Sequence, residues 1–195
     1  MPLLIQDKQT LRSHLRRIRD QIFIPGTLLY QQRAEAFLNN FYETIAFTRP
    51  YRIAGYMPRY SELNVLPLLT RLFNEGHQLA MPRCLPDDLL AFHIWSPTDR
   101  MERNAFHVLE PIQGTSSIDP EIMLVPFLGF DKRGHRLGYG KGFYDRTLAN
   151  ATLKNHCITV GVGYNEQEID EVPIGEHDQS LDFIITDNLI LKLKP

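Results

Sequence analysis

A chain of 195 residues with 43% hydrophobic and 23% charged residues has the composition of one globular domain with a substantial core. A formal charge of −2 argues against general nucleic-acid binding, and no apolar run reaches membrane length. The two cysteines, Cys84 and Cys157, have no CxxC spacing and read as ordinary thiols of a reducing cytosol. Met1–Ile5 is too short and Arg12–Arg19 too charged for a signal peptide, so a cytoplasmic protein is expected.

In chain order, Leu11, Leu15, Ile18 and Ile22 recur at helical spacing, which predicts an amphipathic helix over 7–23 with Asp7 as its N-cap. Lys8, Arg12, Arg16, Arg17 and Arg19 make its other face basic, a pattern that ordinarily marks a solvated surface. Pro25-Gly26 breaks the chain before a second helix over 27–46, with a stripe of Ala34, Phe37, Leu38, Phe41 and Ile45. Arg52–Met57 predicts a short strand, and Val65–Asn74 a helix. Between them lies the loop holding Met57 and Glu62, where open α/β sheets place ligands. Glu62 also suits the N-terminal end of the following helix, and the two readings are compatible. His77–Met81, closed by Pro82-Arg83, Leu89–Trp95, Ile122–Phe127, Cys157–Tyr164 and Leu181–Thr186 read as strands, and Arg146–Asn155 as a helix. Trp95 reads as packing. Alternating strands and helices predict a single-domain α/β fold over 1–195, a mixed, largely parallel sheet flanked by helices.

The stretch 125–146 carries the chemistry. Gly134, Gly138, Gly140 and Gly142 lie among basic residues between an apolar strand and a helix-like segment. Glycines let an anion approach backbone N–H groups, and Arg136, Lys141 and Arg146 supply charges suited to a polyphosphate. Asp145 suits the metal that accompanies one. Neither the Walker A spacing nor the dinucleotide fingerprint is present, since Gly142 follows Lys141 and Phe143 stands where a third glycine belongs.

The segment Arg136-Leu137-Gly138-Tyr139-Gly140-Lys141-Gly142-Phe143-Tyr144-Asp145-Arg146 closely resembles the signature of 5-formyltetrahydrofolate cyclo-ligases, and the match extends upstream through Pro126 and Phe130-Asp131. Phe143 departs from it, because many members carry a tyrosine there. The resemblance spans nearly the whole chain and is weakest before residue 50. It implies ATP-dependent closure of 5-formyltetrahydrofolate to 5,10-methenyltetrahydrofolate, with release of ADP and phosphate. The Lys8, Leu11 and Arg12 element would bring the first helix to the ATP phosphates, beside Gly138, Tyr139, Gly140, Lys141, Gly142, Phe143 and Tyr144. Arg136, Lys141 and Tyr144 are the implied catalytic group. Glu62, Met57, Arg83, Phe106 and Tyr144 form the folate side, Phe106 being equally suited to core packing. Asp145, assisted by Asp178, is the implied Mg²⁺ ligand, whereas His177 beside Asp178 gives no catalytic dyad. The implied partners are ATP and 5-formyltetrahydrofolate, which can be polyglutamylated, with no nucleic acid and no membrane, and a monomer is expected. A paralogue acting on another acceptor and a non-catalytic nucleotide-binding module are the alternatives.

Overall fold

A computed structural model describes residues 7–150, 153 and 156–193. The reading of Met1–Ile5 lies outside these residues, as do four of the five positions beyond Asn150 in the segment expected to continue a helix.

Helix α1 (Lys8–Ile22) starts where expected: the Asp7 carboxylate accepts from Gln9 N at 2.6 Å and so satisfies one of the free N–H groups of the first turn. Helix α2 (Leu28–Thr44) is capped by Thr27, whose hydroxyl accepts from Tyr30 N, and buries Ala34, Phe37, Leu38 and Phe41. Strand β1 (Arg52–Ala54), helix α3 (Leu66–Asn74) and strand β2 (Gln78–Cys84) form a right-sized crossover unit. Strands β3 (Leu90–Ile94), β4 (Met101–Arg103), β5 (Leu109–Pro111), β6 (Ile122–Pro126), β7 (Gly129–Phe130) and β8 (Arg136–Leu137) follow. Helix α4 (Phe143–Leu148) and strands β9 (Ile158–Gly163), β10 (Phe183–Thr186) and β11 (Ile190–Lys192) complete the order.

Among the described residues, seven strands make one sheet in the order β11-β10-β9-β6-β1-β2-β3. The five inner strands are parallel, and β3 and β11 add antiparallel edges. Strand β6 shows why such a sheet reads as an uninterrupted apolar run. Ile122 and Leu124 enter the core on the face of α2 and α3, while Met123 and Val125 enter the opposite core with Phe127, Leu148 and Ile184. Strand β2 runs past the proline expected to close it. Gly55 N donates to Ala80 O at 2.9 Å, but the next rung would need an N–H at position 82, which proline lacks. Pairing with β1 therefore stops, and β2 continues to Cys84 against β3 alone.

From β1 the chain moves one way to β2 and later returns on the other side as β6. Sheet order thus reverses between β1 and β6, where a crevice opens beyond the carboxyl ends of open α/β sheets. Helix α1 is held over that crevice by a small third core of Leu15, Leu128, Leu137 and Val172. A Cβ at Gly129 would lie 2.7 Å from Leu15 Cδ1, so a glycine is what lets the helix seat on the β7–β8 hairpin.

Candidate active site

Two loops leave the sheet at the reversal point, 55–65 after β1 and 127–142 after β6. Between them, under α1, is a cleft of about 510 Å³. Other hollows, along α3 and between β3 and α4, collect none of the glycine-loop backbone.

The glycine loop does not follow β6 directly; the β7–β8 hairpin intervenes and delivers Arg136 to the loop's base. The Arg136 side chain is 3% exposed, its Nη2 is 2.5 Å from Asp145 Oδ1, and its Nη1 donates to Gln179 O. Gln179 N donates to the same Asp145 oxygen at 3.1 Å, which ties the loop before β10 to the start of α4. Burial pushes the Arg136 guanidinium below its ordinary value, with Asp145 and Asp178 opposing. Gly140 and Gly142 have φ of +96° and +71°, conformations that side chains rarely adopt. A Cβ on Gly140 would also lie 3.2 Å from the Arg12 guanidinium, which donates from Nε to Gly138 O at 2.9 Å. Helix α1 and the glycine loop are therefore built as one cationic wall. At its end Lys8 Nζ meets Asp178 Oδ2 at 2.6 Å. Burial would raise the Asp178 carboxyl, but Lys8 and the Gly175 N–H hold it below the usual range.

Aromatic and carboxylate groups also line the cleft. Phe106 and Phe143 meet edge-to-face with centroids 5.7 Å apart, and Lys141 Nζ sits 5.6 Å from the Phe106 ring centre. Glu62 is 5% exposed and accepts from Arg59 N at 2.8 Å. Burial pushes its carboxyl up from the usual range, against the opposing pull of Arg19, Tyr139 and the Arg59 N–H. Burial also raises the Tyr144 phenol, so this hydroxyl keeps its proton and remains a donor in the cleft.

Comparison with known proteins settles the kinship. The model of the 5-formyltetrahydrofolate cyclo-ligase family matches residues 4–187. The chain belongs to that family. The 5-formyltetrahydrofolate cyclo-ligase of Haemophilus influenzae is 31% identical over 183 residues, 90% of this chain and 95% of the relative. That of Escherichia coli K12 is 30% identical over 144 residues, 70% of this chain and 78% of the relative. Among solved structures, the Aquifex aeolicus 5,10-methenyltetrahydrofolate synthetase superposes with a TM-score of 0.76 at 25% identity, covering 96% of this chain and 93% of that one.

In this cyclo-ligase fold the cleft gathers Lys8, Arg12, Met57, Glu62, Phe106, Arg136, the whole of Gly138–Asp145 and Asp178. Arg83 lies elsewhere. Pro82 and Cys84 face the cleft, so the strand's alternation turns Arg83 away, where its guanidinium meets Glu102 at 2.6 Å and Glu110 at 3.3 Å and donates to Pro111 O. Glu62 is not in the first turn of α3; it precedes Leu66 by four residues and points inward. Trp95 packs in the core as expected.

Sequence reasoning missed two cations of this cyclo-ligase chain. Arg16 and Arg19 read as surface, yet Arg16 lines the cleft and Arg19 is 2% exposed. The available signal was the four-residue step Lys8, Arg12, Arg16, which puts all three on one side of α1. Arg19, seven residues after Arg12, falls on the same side, whereas Arg17 is turned away from it.

Proposed function

We propose that the protein is a 5-formyltetrahydrofolate cyclo-ligase that converts its folate to 5,10-methenyltetrahydrofolate at the expense of ATP. The carrying observation is that a polyphosphate-type wall (Lys8, Arg12, Arg136 and the glycine loop) and a buried carboxylate, Glu62, face one cleft. The family and the names of the relatives support the same activity.

The chemistry explains both features. A formyl amide oxygen is a poor leaving group, so N10 of the folate cannot expel it. Attack of that oxygen on the γ-phosphorus forms an O–P bond, breaks the bond to the β-phosphate oxygen and leaves an iminium phosphate with ADP. N10 then adds to the activated carbon, loses its proton, and phosphate departs with the former formyl oxygen. Such transfer needs alignment and charge neutralisation more than a protein nucleophile. Lys8, Arg12, Arg136 and Lys141 neutralise the phosphates; Glu62 and Met57 seat the folate. The Tyr144 hydroxyl donates where formyl oxygen and γ-phosphate meet.

Mg²⁺ fits the residues present. It takes one or two carboxylates with phosphate and water oxygens, and Asp145 and Asp178 both face the cleft. Among the described residues, each makes its protein hydrogen bonds through one oxygen, Oδ1 of Asp145 and Oδ2 of Asp178. When bound, the ion would offset charge on the β- and γ-phosphates. We place the protein in the cytoplasm, as a monomer. The test is the absorbance of the methenyl product formed from 5-formyltetrahydrofolate and ATP across a magnesium series; no product at any magnesium concentration would overturn the reading.

A further inference from the structure

Lys8, Arg12 and Arg16 of α1 reach the cleft directly, but Arg19 works from behind it. Arg19 Nη1 donates to the Tyr139 hydroxyl oxygen at 2.7 Å, and Arg19 Nε donates to Ser61 Oγ at 3.0 Å. Ser61 in turn donates its own proton to Asp20 Oδ1. The Tyr139 hydroxyl also acts on the Glu62 carboxylate, and both groups line the cleft. A phenol has one proton, and the arginine has only protons to give. Arg19 donates to Tyr139, which leaves the single phenol proton for the Glu62 carboxylate.

We propose that Arg19 is a positioning residue of the active site, which acts through the Tyr139 hydroxyl to hold the buried Glu62 carboxylate ionised and aimed into the folate half of the cleft. Its use in folate binding rests on the reading given above; the ionisation does not.

The surroundings of Glu62 make the relay necessary. From α2, Tyr30 donates its hydroxyl to Glu62 O, the backbone carbonyl, at 2.8 Å, and gives the carboxylate nothing. Tyr56, from the loop after β1, donates to Leu63 O at 2.9 Å. Tyr144 of α4 also faces Glu62 electrostatically. Burial pushes the phenols of Tyr30, to about 12, and of Tyr56, Tyr139 and Tyr144 upward, so all four stay neutral near neutral pH. Asp20 adds a negative charge on the far side of Ser61. Arg19 and Arg59 are the cations with the largest pull on Glu62, and burial favours its neutral form. A buried carboxylate with one cation and one phenol removed drifts toward protonation, and a protonated Glu62 is a donor where the site presents an acceptor. The relay also joins three separate pieces, α1, the loop after β1 and the glycine loop, at Glu62.

The test reads Glu62 directly in protein without substrate. Infrared difference spectra assign the Glu62 carboxylate band by its loss in E62Q, and a pH series gives its protonation midpoint. R19Q is expected to raise that midpoint by about one pH unit or more, and R19K to keep it near the wild-type value. Y139F, which keeps the ring and removes only the hydroxyl, repeats the test should R19Q fold poorly, and the same upward shift is expected. Equilibrium binding of 5-formyltetrahydrofolate without ATP, at about pH 6 and about pH 8.5, gives the consequence: about tenfold weaker binding at the lower pH in R19Q, a change wild type lacks. An unchanged Glu62 midpoint in Y139F and in R19Q overturns the proposal. Folate binding unaffected by E62Q overturns instead the assignment of Glu62 to folate, and leaves the midpoint result standing.

Discussion

Lys8 Nζ and Asp178 Oδ2 lie 2.6 Å apart although 170 residues separate them in the chain. The contact closes one end of the cleft by joining the first turn of α1 to the loop before β10. Both side chains are about 30% exposed, 29% and 31%, so the pair adds little to stability, on the order of 0–1 kcal/mol. Its effect is positional: a cation and a carboxylate are held side by side where phosphates and a metal would meet. Lys8→Ala should therefore leave the unfolding midpoint nearly unchanged and weaken ATP binding about ten- to a hundredfold, as loss of a charged hydrogen bond of about 1.5–3 kcal/mol does. Thermal unfolding and calorimetry with ATP alone check both halves. A large loss of stability with normal ATP affinity would make Lys8 structural.

Glu62 and Arg12 should separate the two substrates. Glu62→Gln keeps the shape and removes the charge, and should weaken 5-formyltetrahydrofolate binding about ten- to a hundredfold while sparing ATP. Arg12→Ala should do the reverse, because Arg12 stands on the glycine loop at Gly138 O. Each ligand titrated alone into each variant gives the answer, and the opposite pattern would sink this division of the cleft.

Gly140→Ala adds one methyl group where φ is +96° and where that carbon would lie 3.2 Å from the Arg12 guanidinium. The backbone strain is about 1–3 kcal/mol, and Arg12 must give way as well. The expected result is a folded protein with a raised KM for ATP and a nearly unchanged KM for folate. Equal effects on both constants would show that the loop serves both substrates.

Asp131 supplies a pH dependence of stability. Its side chain is fully buried and accepts from the N–H groups of Val172 at 3.0 Å, Arg133 at 2.9 Å and His135 at 3.1 Å. Burial acts to raise its carboxyl, but the Val172 N–H, Arg133 and His135 outweigh it and leave the value below the ordinary range. A folded-state value below the unfolded one contributes stability that is present above about pH 4 and lost as pH falls through the folded value. Wild type should lose stability as pH falls below about 4 more steeply than Asp131→Asn, which lacks the titrating group and should be less stable at pH 7. Denaturant melts across that range decide it; parallel curves would remove Asp131 from the acid response.

What the sequence determined by itself is what depends on near neighbours. Side-chain periodicity located α1, α2 and the apolar run of β6; a cap such as Asp7 is a contact two residues long. The 136–146 segment carried its chemistry openly, because glycines and cations must be adjacent in the chain to build one loop. The tertiary structure decided everything that turns on direction. Strand alternation puts Arg83 and Cys84 on opposite faces of β2, and only the assembled sheet decides that Cys84 is the one facing the cleft. Helical spacing puts Arg19 on the side of Lys8 and Arg12 and turns Arg17 away from it, but it does not say what Arg19 meets there. Burial of Arg19 against Ser61 and Tyr139, drawn from segments 42 and 120 residues away, makes it the support of Glu62, while Arg17 stays a surface charge. A buried cation is stable only where partners meet it, and those partners come together only when the sheet reverses its order between β1 and β6.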